Sequence, residues 1–273
     1  MKLAVLGSGS RGNATLLGSG GRWILVDAGF SGKQVEERLD TLDVPVNGVE
    51  GIVVTHEHVD HTRGIGVLAR RYGIPLYMTP GTREACAHLL KGTESVVEYR
   101  PGRSFRVAGL TVAPFLTVHD AVDPVAVTVS GPECGSRVGL AMDLGRPTAQ
   151  IRHSLRDCHF LVLEANHDER LLREGPYPPT VQARIASSHG HLSNHAAAQF
   201  ARELLHPGLA GIILAHLSQE CNRPELARRV IRDALTTAGF RGYLGVARQD
   251  QPTDLMDLTR LRSANGSDQL TLF

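Results

Sequence analysis

Six consecutive residues carry the densest chemistry in this chain. His56-Glu57-His58-Val59-Asp60-His61 sets three imidazoles and an aspartate beside one another. The stretch follows Gly51-Ile52-Val53-Val54-Thr55, a short apolar and β-branched run that reads as a buried strand. In a loop leaving a strand, His-x-His puts two imidazoles on one side, and the Asp-His pair reaches a neighbouring position. Imidazole and carboxylate suit zinc, manganese or iron, and there are too many donors here for one tetrahedral ion. A lone histidine is usually a packing or surface residue, whereas such a cluster is the pattern of a metal site. His56, His58, Asp60 and His61 are therefore candidate ligands, with Asp60 also a candidate catalytic group.

A second stretch invites a different reading and fails it. Gly7-Ser8-Gly9-Ser10-Arg11-Gly12 matches the glycine pattern of a dinucleotide site, with Asp27 near the place of a ribose-binding acid. That site needs a helix opening at the last glycine. Gly18, Gly20 and Gly21 follow too soon to leave room for one. Two readings remain: a plain tight turn, or a turn whose N–H groups, with Ser8, Ser10, Arg11 and Asn13, contact a phosphate.

The elements that must position these residues alternate between strand and helix. Strands are expected at 3–6, 14–17, 23–26, 51–55 and 75–78, with helices from the N-cap Ser31 to about Leu39, at 64–71 and at 82–90. Strand candidates then crowd together at 95–98, 105–107, 110–114, 125–129 and 137–142. Helices at 148–156, 179–188, 193–205 and 224–237 alternate with strands at 160–163, 211–214 and 242–246. Two such halves suit an α/β fold of two sheets sandwiched between helices. Beyond Arg248 the composition turns polar, so residues 1–248 are expected to form the domain and 249–273 a tail or loosely docked segment.

At 273 residues, 42% hydrophobic and 21% charged, the composition is that of an ordinary globular enzyme. A net charge of +1 gives no overall basic bias, so any grip on nucleic acid has to come from a local patch or from bound metal. Cys86, Cys134, Cys158 and Cys221 are widely spaced, which reads as free thiols in a reducing compartment. No apolar stretch is long enough for a membrane span, and the N-terminus reads as a first strand, so a cytoplasmic location is expected.

His-x-His-x-Asp-His after an apolar strand resembles the signature of the metallo-β-lactamase fold, an αββα four-layer sandwich of two mixed sheets. Later motifs fall in that family's order. Asp27 resembles the aspartate that braces the metal loop from behind. His119, in Thr-Val-His-Asp, Asp143, in Met-Asp-Leu-Gly, and His216, in Ala-His-Leu-Ser, resemble its remaining ligands. The resemblance implies one metal on His56, His58, His119 and Asp143, and a second on Asp60, His61, Asp143 and His216. Two divalent ions can activate water and clamp a transferring phosphoryl group, but would equally polarise a β-lactam or thioester carbonyl. Manganese and zinc both suit the mixed ligand set.

What narrows the chemistry is Leu163-Glu164-Ala165-Asn166 together with Gly190-His191-Leu192-Ser193. These resemble the glutamate and histidine motifs of the family's phosphodiesterase branch. A carboxylate that fixes an imidazole's tautomer and raises its pKa readies it to protonate a leaving oxygen. Glu164 and His191 are assigned that pair of roles, with His167, His189 and His195 as neighbours that could compete. His88, His153, His159 and His206 read as packing or surface residues. The turn at 7–15, His119-Asp120-Ala121 and Glu164-Ala165-Asn166-His167-Asp168 extend the similarity to the YycJ/WalJ subfamily, described as DNA exonucleases. Arg11 replaces an expected serine and Ala215 an expected glycine. The resemblance implies 5′→3′ cleavage of DNA in repair or mismatch excision. The alternatives are an RNA- or tRNA-processing nuclease, for which no substrate-binding arm is evident, and a small-molecule hydrolase such as a lactonase, thioesterase or cyclic phosphodiesterase. The chain ends Gln269-Leu270-Thr271-Leu272-Phe273, which resembles a sliding-clamp-binding peptide; the bland alternative is a terminal segment folded back on the domain.

Overall fold

The structure, a computed structural model, describes residues 1–131 and 135–267. Within them the chain forms two mixed seven-stranded sheets. The first is built from β1 (Lys2–Gly7), β2 (Ala14–Ser19), β3 (Arg22–Val26), β4 (Val49–Val53), β5 (Leu76–Met78) and β6 (Val96–Glu98). The second contains β7 (Phe105–Val107), β8 (Leu110–Leu116), β9 (Val125–Ser130), β10 (Arg137–Ala141), β11 (Phe160–Glu164), β12 (Gly211–Ala215) and β13 (Tyr243–Val246). A two-residue strand, β14 (Met256–Asp257), returns to pair antiparallel with β1 at the edge of the first sheet. The orders are β14-β1-β2-β3-β4-β5-β6 and β13-β12-β11-β10-β9-β8-β7.

Alternation along the strands shows why four layers form. Leu3 and Val5 enter the core between the sheets, where they meet Val112, Val127, Leu140 and Val162 of the second sheet. Leu6, Leu16, Leu25 and Ile52 point the other way, onto the helices Gly32–Asp40 and Ile65–Tyr72 through Val35, Leu39, Ile65 and Leu68. The second sheet repeats the arrangement, with Leu161, Leu163, Ile212 and Leu214 packed on the helices Ala149–Leu155, Asn194–Glu203 and Pro224–Thr237. Strands covered on both faces read as unbroken apolar runs, which is how β4, β11 and β12 stand in the sequence. The αββα sandwich expected from the sequence is the fold found.

Two features depart from the expected pattern. Val59–Thr62 forms a helical turn inside the histidine cluster, with His58 as its N-cap. A short helix, Glu169–Glu174, starts where the Asp168 carboxylate accepts the amides of Arg170 and Leu171. Of the two expectations for the segment after Arg248, a tail or a loosely docked segment, residues 253–258 take the docked one. Thr253 exchanges hydrogen bonds with the backbone of Val5, β14 covers the edge of β1, and Leu258 is fully buried at the start of the helix Leu258–Ser267. An open β1 edge is a row of unpaired backbone groups, and this segment satisfies them. The candidate clamp peptide Gln269–Phe273 lies outside the described residues. No helix among the described residues is long and apolar enough to cross a membrane.

Candidate metal centre

The candidate site residues converge from the carboxyl ends of six strands. Asp27 follows β3, the His56–His61 cluster follows β4, and His119 follows β8. Asp143 follows β10, Glu164 ends β11, and His216 follows β12. Strand ends are where an α/β sheet leaves a crevice for a ligand. Asp27, Asp143 and His216 all hold left-handed backbone conformations, with φ of 62°, 55° and 55°. Such conformations are costly for residues with a Cβ and persist where the surroundings over-determine them. Here each one turns a side chain sharply off its strand into the same space. Gly29 is needed because a Cβ there would lie 1.6 Å from the Asp60 carbonyl oxygen, so the loop after β3 and the histidine loop touch backbone to backbone.

Asp27 is fully buried and organises the cluster from behind. Its carboxylate accepts the Thr55 amide and hydroxyl, each at 2.8 Å, and Nδ1 of His61, also at 2.8 Å. Because the Thr55 hydroxyl spends its proton on Asp27, it accepts from Nδ1 of His56 at 3.0 Å. Nδ1 of His119 donates to the Gly190 carbonyl at 3.2 Å. These bonds fix the tautomers so that the Nε2 lone pairs of His56, His61 and His119 face inward.

Two of the inward-facing atoms lack partners. Nε2 of His56 and Oδ2 of Asp143 are buried without a hydrogen bond, although Nε2 of His61 stands 3.0 Å from that same Asp143 oxygen. Two lone pairs at that distance repel unless a proton or a cation lies between them. Donor atoms of His56, His58 and His119 lie within 4.8 Å of one another, as do those of His56, His61 and Asp143, and those of Asp60, His61 and His216. The residues present therefore fit divalent metal, which the fold also implies.

The buried charges also act on one another. Burial pulls at the His61 and His216 imidazoles, but Asp143 and Asp60 more than reverse it, leaving His61 well above its ordinary pKa and His216 at about 10. Burial opposes ionisation of Asp143, yet His216 and His61 hold its carboxyl well below the usual range. His56, deep in the protein beside His61, is pushed well down by burial and stays neutral.

Glu164 is fully buried and completely bonded. Oε2 accepts the amides of Leu144 and Leu192 at 2.9 and 3.0 Å, and Oε1 accepts Nδ1 of His191 at 2.7 Å and Nδ1 of His216 at 3.0 Å. Burial would raise its pKa, but His191 and His216 bring it to about 2. In return, Glu164 outweighs the effect of burial on His191 and raises that imidazole. His191 lines a cleft together with His58, Asp60, His119, Asp143 and His216. The competing histidines stand elsewhere: His195 bonds Glu169, His189 is exposed, and His167 is buried beside β11.

The glycine-serine turn divides. Ser8 and Asn13 are buried and committed within the protein, so they are not free to hold a phosphate. The Ser8 hydroxyl donates to Asn13 at 2.8 Å and accepts the His216 amide at 2.7 Å. The Asn13 amide nitrogen lies 3.2 Å from Oδ2 of Asp60 and 3.1 Å from Nε2 of His61. Both residues position the metal loop and His216. Ser10 alone of the four lines the cleft, and Arg11 lines the adjoining groove. Sequence reasoning also missed Arg184, whose guanidinium grips Asp120 at 2.6 Å on the cleft wall. An arginine 64 residues from its partner leaves no local signal.

Comparison with known proteins agrees with this geometry. The model of the beta-lactamase superfamily domain matches residues 22–212. Exodeoxyribonuclease YycJ of Bacillus anthracis is 35% identical over 242 residues, covering 88% of this chain and 91% of that protein. Exodeoxyribonuclease WalJ of Streptococcus pneumoniae is 33% identical over 241 residues, covering 87% and 89%. Among solved structures, the metallo-beta-lactamase fold protein YhfI from Bacillus subtilis superposes with a TM-score of 0.71 at 18% identity, over 93% of this chain and 99% of that one. The chain thus belongs to the metallo-β-lactamase superfamily of hydrolases and, within it, to the family of the exodeoxyribonucleases YycJ and WalJ.

Proposed function

We propose that the chain is a two-metal phosphodiesterase acting as a DNA exonuclease, with 5′→3′ polarity, in repair or mismatch excision. One metal is assigned to His56, His58, His119 and Asp143, and the other to Asp60, His61, Asp143 and His216. Bound there, manganese or zinc would activate water and neutralise charge on a phosphoryl group. Asp27, Asn13 and Ser8 hold the ligands in place, and Asp60 adds a carboxylate on the cleft wall. His191 donates its Nδ1 hydrogen bond to Glu164, so its Nε2 serves as the proton donor to the leaving oxygen. A raised pKa keeps that proton available near neutral pH.

The observation that carries this reading is the 2.7 Å bond between Glu164 and His191 beside the ligand cluster. A thioester's thiolate leaves without a fixed acid, whereas the alkoxide expelled from a phosphodiester is helped by one. The 35% identity to an exodeoxyribonuclease supports DNA as the substrate. We place the protein in the cytoplasm, consistent with the free buried thiols of Cys86, Cys158 and Cys221. The test is to incubate 5′- and 3′-labelled DNA and RNA with metal-loaded protein and with Asp60→Ala. Stepwise release from the 5′ end of DNA, lost in the variant, is expected. RNA cleavage alone would point to the RNA-processing alternative, and ester or lactone turnover without nucleic-acid cleavage would sink the assignment.

A further inference from the structure

The metal cleft does not end at its own wall. Ser218 lines both the cleft and a second groove, which carries Arg11, Arg223 and Arg248 against one lining carboxylate, Asp250. All three arginines are exposed. Arg11 makes no side-chain hydrogen bond or ion pair among the described residues. The Arg223 guanidinium bonds only the carbonyl of its neighbour Asn222, at 3.2 Å, which leaves its charge unpaired among the described residues. Arg248 reaches a carboxylate, Glu225, only at 3.9 Å, with both side chains largely in solvent. Such a pair holds a charge weakly and leaves it available.

The backbones beneath the three are tied down. The Ser8 amide donates to the Arg248 carbonyl at 2.9 Å, and Gln249 takes the Arg11 amide at 2.7 Å while giving its own amide to Gly12 at 2.9 Å. Arg223 is held as the residue capping the helix Pro224–Thr237. In a chain of net charge +1, three guanidinium groups on one groove, with so little counter-charge, are a concentrated anion-binding surface.

We propose that this groove is the track for the nucleic-acid strand leading out of the cleft, with Arg11, Arg223 and Arg248 holding successive backbone phosphates. The proposal rests on the nuclease reading. A strand with one phosphate among the ligands continues past Ser218, and the arginines meet it there. Planar guanidinium groups pair phosphate oxygens two at a time and read no base, so the track is indifferent to sequence.

The test compares single strands of about 20 nucleotides with a dinucleotide, in metal-loaded wild type and in the triple variant Arg11→Ala, Arg223→Ala, Arg248→Ala. Each lost phosphate contact lowers the salt slope of binding by about 0.7, so the triple variant is expected to lose roughly 2. The preference of kcat/KM for the long strand should fall on the order of tenfold, through KM. Arg→Lys replacements at the same positions restore most of the slope, because they keep the charge. A triple variant that degrades long DNA with wild-type length preference and wild-type salt slope overturns the track and leaves the nuclease reading standing. Wild-type protein that cleaves no oligonucleotide overturns both.

Discussion

Glu164 uses one oxygen for two histidines, and that sharing makes it the most informative single residue. Oε1 orients His191, the proposed acid, and also His216, a proposed ligand, while Oε2 is bound to two backbone amides. Replacing His191 should therefore separate from replacing Glu164. His191→Ala is expected to lower kcat by about 10²–10⁴-fold, the range of a lost general acid, and to retain metal. Glu164→Gln should lower kcat and also weaken metal binding, because a neutral amide holds Nδ1 of His216 less firmly and cannot also accept both backbone amides that now bond the carboxylate. The pH profile supplies the sign. Glu164 raises His191, so the protonated acid survives above the ordinary imidazole range, and activity is lost as pH rises through that raised value. Removing the carboxylate should move the alkaline limb to lower pH. Rates between about pH 6 and 10, with bound metal measured in parallel, check this, and an unmoved limb would exclude Glu164 as the positioning group.

At the scale of elements, the site depends on how strands end. Its histidine cluster and the apolar runs before it could be read directly. A strand buried on both faces announces itself, and three imidazoles and a carboxylate within six residues are the donor types of a metal site. The role of the 7–13 turn could not be read that way. Ser8 bonds a backbone amide 208 residues away and Asn13 an aspartate 47 residues away, so only the folded chain reveals that they position rather than present. The packing of residues 253–258 was equally hidden. β14 is two residues long and has no periodicity of its own; it exists because β1 leaves an edge to be covered. A chain cut after Arg248 should consequently expose the β1 edge, lose the buried Leu258, and free Gly12 from the Gln249 amide. We expect that protein to aggregate or to melt below the full chain, by roughly 5 °C if two or three kcal/mol is lost. A cut after Ser267 should melt with the full chain. Equal melting of both truncations would mean that 249–267 adds nothing to the fold.

For the whole molecule, the proposed DNA exonuclease has to reach its substrate with a net charge of +1. A patch of three arginines gives grip at the site but little long-range steering, since a charge so nearly balanced projects a weak field beyond a Debye length. Tethering solves that problem differently, by raising the local concentration of enzyme at its substrate. The terminal Gln269-Leu270-Thr271-Leu272-Phe273 has the form of a clamp-docking peptide, with leucine and phenylalanine as the groups that would fill an apolar pocket. In sequence it comes just after the helix Leu258–Ser267, which itself leads directly from the edge strand β14. If this peptide is the tether, as we propose, deleting Gln269–Phe273 abolishes binding to the sliding clamp and removes any stimulation by clamp loaded on long DNA. Turnover of short oligonucleotides should persist, because the residues lining the cleft and the arginine groove all lie upstream of the cut. Affinity for the clamp measured before and after truncation decides the matter, and an unchanged value rules the peptide out as the tether.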